Sequence, residues 1–307
     1  MLMPRKLQEG DTVAITAASG PVNPEKLATG VKILQEMGLR PYVMESCHKT
    51  HEYLAGTDQQ RLSDLHAAFA NDTIKGILLA RGGYGASRLL PHLDFSLIKQ
   101  NPKILAGYSD VTALHIAINQ LCQIITYHAP MTAADLPHAD GATLDSFKHA
   151  LMHNSQKSFP SKTLTILQHG YAEGILTGGN LTLIVSSLGT PWEIDTRGKI
   201  LFIEEIGEDA YRIDRMLLQL KLSRKLTTAA GFLLGNFSPE NLDTIKLALG
   251  ELVVPEEKPI VGGLPCGHCM PNLTLPLGQM VRITTESLHP VQICDHFGTG
   301  AEHTPLC

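Results

Sequence analysis

Apolar positions along the first 125 or so residues recur in two alternating rhythms. Short runs rich in β-branched residues, "TVAITAAS", "RPYVMES", "IKGILLA" and "PKILAGYS", read as strands. Between them "NPEKLATGVKILQEMG", "DQQRLSDLHAAFAN", "ASRLLPHL" and "DVTALHIAINQLC" carry helical spacing. That alternation through short loops predicts an α/β domain with a parallel sheet covered by helices on both faces, where ligands gather beyond the carboxyl ends of the strands. Two loops stand in that position, "ARGGYGAS" and "AGYSD".

From about 130 to 165 the pattern weakens into a stretch of Pro, His, Asp and Ser that reads as a linker with one short helix. Beyond it "TLTILQHG", "AEGILTGG", "KILFIEEIG", "AAGFLLGNF", "PIVGGLP", "QMVRITTES" and "VQICDHFG" are short strands parted by Gly and Pro turns. Helical spacing returns only in "NLTLIVSSLG", "YRIDRMLLQLKLS" and "NLDTIKLALGELV". The expected organisation is an N-terminal α/β domain over 1–155, with its linker from about 130, followed by a β-rich domain over 165–307. A chain of 307 residues suits two such cores.

Composition narrows the partners. The chain is 43% hydrophobic and 18% charged, with a mean hydropathy of +0.02, an ordinary globular balance. A formal net charge of −5 without a block of Lys or Arg argues against nucleic acid or an anionic membrane as partner. The start, "MLMPRKLQEGDTVAITAASG", has no apolar signal core, and no apolar run is long enough to span a bilayer. Six cysteines in so long a chain do not form a disulfide-framework pattern, so a reduced cytoplasmic setting is expected.

Four stretches could carry chemistry. In "KILAGYSDVTALHIAINQ" a buried strand runs into Ser109 and Asp110 and a helix follows at once. A serine on such a turn stands above the sheet edge beside backbone N–H groups able to receive a carbonyl's developing negative charge, although it could equally be a helix N-cap. In "LLARGGYGASRLL", Gly82, Gly83 and Gly85 let the backbone offer donors to an anion, or simply turn tightly, while Arg81 is the nearest cation for a substrate carboxylate or else one half of a structural salt bridge. Neither a Walker loop nor a Rossmann fingerprint is complete there. In "KILFIEEIGEDAYRIDRMLLQL" an apolar strand delivers Glu204 and Glu205 to opposite faces. A carboxylate there needs a partner, either Arg212 or Arg215, or a histidine that it would orient.

The fourth stretch, "LPCGHCMPN", admits three readings. Cys266 and Cys269 have the C-x-x-C spacing of a redox dithiol, but Pro271 stops the helix whose N-terminus would activate the first thiol. A zinc site would need Cys294 and His296, at a spacing unlike the common ones, so no metal is expected. That leaves His268. A serine at a turn, an acid at a strand end, a histidine in a Gly-Pro loop and a glycine-rich anion loop together make a complete nucleophilic set.

These residues resemble the LD-carboxypeptidases, also called muramoyltetrapeptide carboxypeptidases. The similarity runs from "GDTVAITAASGPV" through "IKGILLARGGYGASRLLPHLDF", "PKILAGYSDVTALH", "TGGNLTLI" and "ILFIEEIGEDAYRIDRMLLQL" to "VGGLPCGHCMPNLTLPLG". The resemblance implies a flavodoxin-like N-terminal domain, a β-rich, barrel-like C-terminal domain and a site between them. It implies a triad of Ser109, Glu204 and His268, an oxyanion hole from the N–H groups of Asp110 and Gly83, and substrate contacts from Arg81 and Tyr84. The reaction implied is metal- and cofactor-free removal of the terminal D-alanine from a murein tetrapeptide, by a cytoplasmic homodimer. The family usually has Glu-Asp where this chain has Glu204-Glu205, so the choice of Glu204 rests on motif position. It rarely flanks the histidine with two cysteines. Two rival readings are hydrolysis of peptidyl-adenylates of the microcin C self-immunity type and a non-catalytic small-ligand-binding protein. For the first, the single tryptophan, Trp192, offers no evident platform for adenine.

Overall fold

The computed structural model describes residues 1–153, 158–159, 164–237, 245, 247–248, 250–251 and 258–294. In chain order the first elements are β1 (Thr12–Thr16), α1 (Pro24–Glu36), β2 (Arg40–Val43), α2 (Asp58–Ala70), β3 (Ile74–Leu79), α3 (Phe95–Gln100), β4 (Ile104–Gly107), α4 (Thr112–Cys122), β5 (Thr126–His128) and α5 (Gly141–Met152). The next are β6 (Ser158–Phe159), β7 (Thr165–Gln168), β8 (Tyr171–Asn180), α6 (Leu181–Ser186), β9 (Ile200–Glu204), α7 (Ala210–Leu222), α8 (Lys225–Thr228) and β10 (Gly231–Leu234). The last are β11 (Ile260–Gly262), β12 (Leu275–Leu277), β13 (Met280–Thr284) and β14 (Val291–Ile293).

The chain forms two compact units, Met1–Ser155 with Met270–Pro276, and Gln156–Cys269 with Leu277–Cys307. The first unit's sheet runs β12-β5-β4-β3-β1-β2, and β1 to β5 pair in parallel. Order 2-1-3-4-5 is the flavodoxin-like doubly wound arrangement, whose order reverses between β1 and β3. Strands with both faces covered must be apolar throughout, and Ile104–Gly107 is buried at every position. Helix ends follow local chemistry. Asn23 caps α1 ahead of Pro24, and Thr57 with Gln60 closes a capping box on α2.

The stretch from 130, read as a linker with one short helix, has that helix as α5, whose Phe147, Ala150 and Leu151 pack into the first unit's core. Their spacing of three and four residues is that of an apolar helical face. "ASRLLPHL" makes two short 3-10 turns, Ala86–Arg88 and Leu90–His92, because Pro91 interrupts a regular helix. β12 returns the chain to the first unit's sheet from within the stretch read as the second domain.

The second unit holds an eight-stranded mixed sheet, β6-β14-β13-β8-β9-β10-β11-β7. β8, β9, β10 and β11 pair in parallel, and β7, β13, β14 and β6 add antiparallel edges. Every residue of β9 is buried. α7 turns Ile213, Leu217 and Leu220 inward at helical spacing. "NLDTIKLALGELV" falls largely outside the described residues.

Candidate active site

Ser109 follows β4 at a left-handed φ of +63°, and the chain then enters a 3-10 turn, Ser109–Val111, and α4. A non-glycine residue held in that region costs on the order of 1–3 kcal/mol, so the surrounding structure must impose it. The result is the strand–turn–helix geometry that lifts a serine clear of a sheet edge. Ser109 is half-buried, and its hydroxyl makes no hydrogen bond among the described residues. Gly82 closes on it from the glycine-rich loop. A Cβ at position 82 would lie 3.0 Å from Ser109 Cβ and 3.1 Å from its Oγ, so any side chain there would crowd the hydroxyl.

The loops around Ser109 are tied by side chains. Asp110 is fully buried and accepts from Ser19 Oγ at 2.5 Å and Ala86 N at 2.8 Å, joining the loops that follow β1, β3 and β4. Burial pushes its carboxyl pKa up, while those two hydrogen bonds and the charge of Arg61 pull the other way. Gly20 N donates to Gly82 O at 3.2 Å. Gly83 sits at φ +120°, and its N–H has no acceptor among the described residues. Arg81 spends donors on backbone carbonyls, Nε on Gly82 O at 3.0 Å and Nη1 on Pro21 O at 3.1 Å, so it braces this loop. Tyr84 is exposed beside it.

Beneath the turn, His115 is completely buried. Its Nε2 lies 2.9 Å from Gly107 O, which can only accept, so Nε2 carries the proton and Nδ1 accepts from Thr126 Oγ1 at 2.9 Å. Burial pulls its pKa down to about 4. Tyr108 donates its hydroxyl to Asp135 Oδ1 at 2.9 Å, and Met131 N donates to Asp135 Oδ2 at 2.7 Å.

In the second unit β9 delivers two acids with different fates. Glu204 is fully buried, and its Oε2 lies 2.8 Å from His268 Nδ1. The imidazole itself is 19% exposed. Gly267 makes this approach possible. It stands at φ +107°, and a Cβ there would lie 2.5 Å from Glu204 Oε2. Asn236 holds the same loop, donating Nδ2 to His268 O at 3.0 Å and N to Cys266 O at 2.9 Å. Glu205 turns the other way. It accepts from Asn180 Nδ2, Ile206 N, Thr182 N and Thr182 Oγ1 at 2.7–2.9 Å. Arg212 pairs with Glu208 and Asp209 instead, and Arg215 stacks on Tyr211, so neither arginine serves the two strand-end acids.

The cysteines beside His268 lack the signature of a redox dithiol. Cys266 is completely buried and its thiol pKa is raised, first by burial and then by Cys269 and Glu204 nearby, the reverse of an activated thiolate. Cys47, Cys122, Cys266 and Cys269 form no disulfide, while Cys294 is disulfide-bonded, a departure from a wholly reduced set. Among the described residues no group of three or more His, Cys, Asp or Glu is placed to hold a metal ion, and His296 lies outside them. No described helix is long and apolar enough to cross a membrane.

Sequence reasoning named Ser109, Asp110, Gly83, Glu204 and His268 but passed over Gly82 as a neighbour of the hydroxyl, and Ser19, Asn236 and Gly267 altogether. Gly267 alone had a local signal, a glycine immediately before the histidine. The other contacts join residues at least 27 positions apart.

Known proteins give this geometry its family. The model of the LD-carboxypeptidase N-terminal domain matches residues 13–129, and that of the C-terminal domain matches 173–283. A probable murein peptide carboxypeptidase of Bacillus subtilis is 42% identical over 292 residues, covering 92% of this chain and 91% of that protein. The solved muramoyltetrapeptide carboxypeptidase of Oxalobacter formigenes has a TM-score of 0.80 at 30% identity, covering 92% of this chain and 97% of that one. MccF in complex with glutamyl sulfamoyl guanosine has a TM-score of 0.88 at 26% identity, covering 96% and 99%; an MccF from Escherichia coli is a microcin C7 self-immunity protein. With both domain models matched in order around the serine turn and the Glu204–His268 pair, the chain belongs to the LD-carboxypeptidase family of hydrolases.

Proposed function

We propose that this chain is a serine carboxypeptidase that removes the terminal D-alanine of murein tetrapeptides by cutting the bond from an L-centre to that residue. Ser109 Oγ attacks the amide carbonyl while His268 Nε2 takes its proton. Glu204 keeps the imidazole's proton on Nδ1 and stabilises the imidazolium that forms. The backbone N–H groups of Asp110 and Gly83 receive the oxyanion, each such donor lowering the barrier by about 3–4 kcal/mol. His268 then protonates the departing D-alanine amine, and a water deprotonated by His268 hydrolyses the acyl-serine ester. Arg81 and Tyr84 contribute to substrate binding, and no metal enters the cycle. The protein acts as a homodimer on wall fragments in the cytoplasm.

The observation that carries this reading is the 2.8 Å contact between His268 Nδ1 and the fully buried Glu204. It leaves Nε2 as the ring's acceptor, the state a general base needs. Incubation with disaccharide-tetrapeptide and mass detection of the tripeptide tests it, and the reading fails if chelator-treated, folded protein yields none. The likeness to MccF favours a second reading, hydrolysis of peptidyl-adenylates. Turnover of a peptidyl-adenylate without turnover of the tetrapeptide would select it.

A further inference from the structure

Beside the glycine-rich loop, Tyr53 and Tyr84 stand 62% and 51% exposed, their ring centroids 6.0 Å apart and their planes inclined at 50°. Two large rings left in water together are a feature that folding alone does not explain. They are nevertheless held firmly. His51 and Leu54 exchange backbone hydrogen bonds of 2.8 and 2.9 Å, with Glu52 between them at a left-handed φ of +54°, so Tyr53 is fixed at the tip of a tight turn. Leu54 is buried, and a Cβ on Gly85 would strike its Cδ2 at 2.7 Å, so the turn is packed onto the loop that carries Tyr84. Ala55 N donates to Ser19 O at 2.9 Å, tying the same turn to the loop after β1. Neither phenol hydroxyl has a hydrogen-bond partner among the described residues.

We propose that Tyr53 and Tyr84 form a carbohydrate subsite, binding a pyranose ring of the glycan attached to the murein peptide. The inference rests on the activity proposed above and names a substrate feature that activity alone does not require. Aromatic faces receive the C–H-rich face of a pyranose, and free phenol hydroxyls bond its hydroxyls. A flat nucleobase suits the pair less, since rings inclined at 50° offer no parallel slot. Reach agrees. Tyr84 is two residues, at most ~7 Å of chain, from Gly82, which packs on Ser109, and Tyr53 lies one ring beyond. The glycan begins three residues from the scissile bond, ~10 Å along an extended peptide.

The test compares wild type with Tyr53→Ala on two substrates, disaccharide-tetrapeptide and the sugar-free tetrapeptide, with titration of the disaccharide alone followed by NMR. The expected result is a KM for the disaccharide substrate about five- to tenfold higher in the variant, with kcat unchanged, the free tetrapeptide cleaved equally well and disaccharide binding lost. A variant that loses equally on both substrates, or on neither, overturns the subsite while leaving the peptidase reading intact. Competitive inhibition by adenosine monophosphate that disappears in Tyr53→Ala also overturns it, by showing a nucleobase site. Wild type inactive on both peptides removes the peptidase reading and the subsite with it. Circular dichroism of Tyr53→Ala separates each outcome from misfolding, and Tyr53→Phe, which keeps the ring, should retain most of the sugar preference.

Discussion

The serine turn and the imidazole–carboxylate pair are held by opposite means. Ser109 owes its position to backbone conformation and close packing: a left-handed φ, a glycine against its hydroxyl and no side-chain hydrogen bond among the described residues. His268 owes its position to hydrogen bonds, through Glu204 on its ring and Asn236 on its carbonyl. The difference suits the chemistry each would do. A nucleophile must hand its proton to the base that activates it and make a new bond, so a competing partner that held the hydroxyl elsewhere would oppose it. A base must present one ring nitrogen repeatedly, so a fixed partner on the other nitrogen is what sets its tautomer. Variants should therefore fail differently in the two regions.

The largest effect is expected at Ser109. Ser109→Ala should lower kcat by roughly 10⁴-fold or more, since removing a nucleophile leaves only oxyanion-hole and binding contributions. Release of D-alanine measures it, while calorimetric binding of the tetrapeptide should be retained. The same substitution should not lower stability, because no hydrogen bond is lost at a strained position. A wild-type rate in this variant would remove Ser109 from the mechanism.

Next comes a contrast within one strand end. Glu204→Gln should cost roughly 10³-fold in kcat, because the amide no longer fixes the imidazole's proton or balances its charge. Glu205→Gln should act on stability instead, since one amide nitrogen cannot replace a carboxylate oxygen facing donors at all four contacts. A loss of 1–3 kcal/mol per buried mismatch is expected in urea unfolding, with kcat of the folded fraction preserved. Inverted results would transfer the orienting role to Glu205.

Much of this contrast was visible in the chain before folding. The serine turn was legible because an apolar run, a Gly-x-Ser and a helical pattern follow one another without interruption. The choice between Glu204 and Glu205 was not. Strand alternation separates two adjacent acids but does not say which face meets a histidine 64 positions away. α3, β5 and β12 escaped for a simpler reason, being three to six residues long and too short to show a period. α5 was legible as the one short helix of its stretch, but surroundings rich in Pro, His and Asp hid that Phe147, Ala150 and Leu151 form a core-facing side. The arginine partners offered for the strand-end acids failed because α7 keeps Arg212 beside its own neighbours, Glu208 and Asp209.

Gly267 allows the imidazole side to be disturbed without touching a reacting group. Alanine there meets both a positive φ and a Cβ contact of 2.5 Å with Glu204 Oε2. Gly267→Ala should displace the carboxylate and lower kcat about 10²-fold, the scale of a misplaced catalytic group. An unaltered kcat would mean that the loop can yield without moving the ring, and that packing matters less on this side than hydrogen bonding.

The smallest expected effect concerns the support beneath the serine. His115 is fully buried, bonded to Gly107 O and Thr126 Oγ1, and its pKa falls to about 4 from an ordinary 6.5. Between these values the unfolded chain takes up a proton that the folded chain refuses, so stability declines as the pH is lowered through 6.5 and levels off below 4. At pH 5 the loss relative to pH 7 should be about 2 kcal/mol from this group. Above pH 6.5 both states are neutral and the group adds no slope. Urea unfolding at pH 7 and pH 5 isolates the contribution when wild type is compared with His115→Gln, which cannot titrate. The wild type should lose about 2 kcal/mol more than the variant over that interval. Equal losses would mean that the ring is protonated in the folded state, and that the turn carrying Ser109 rests on a charged support instead of a neutral one.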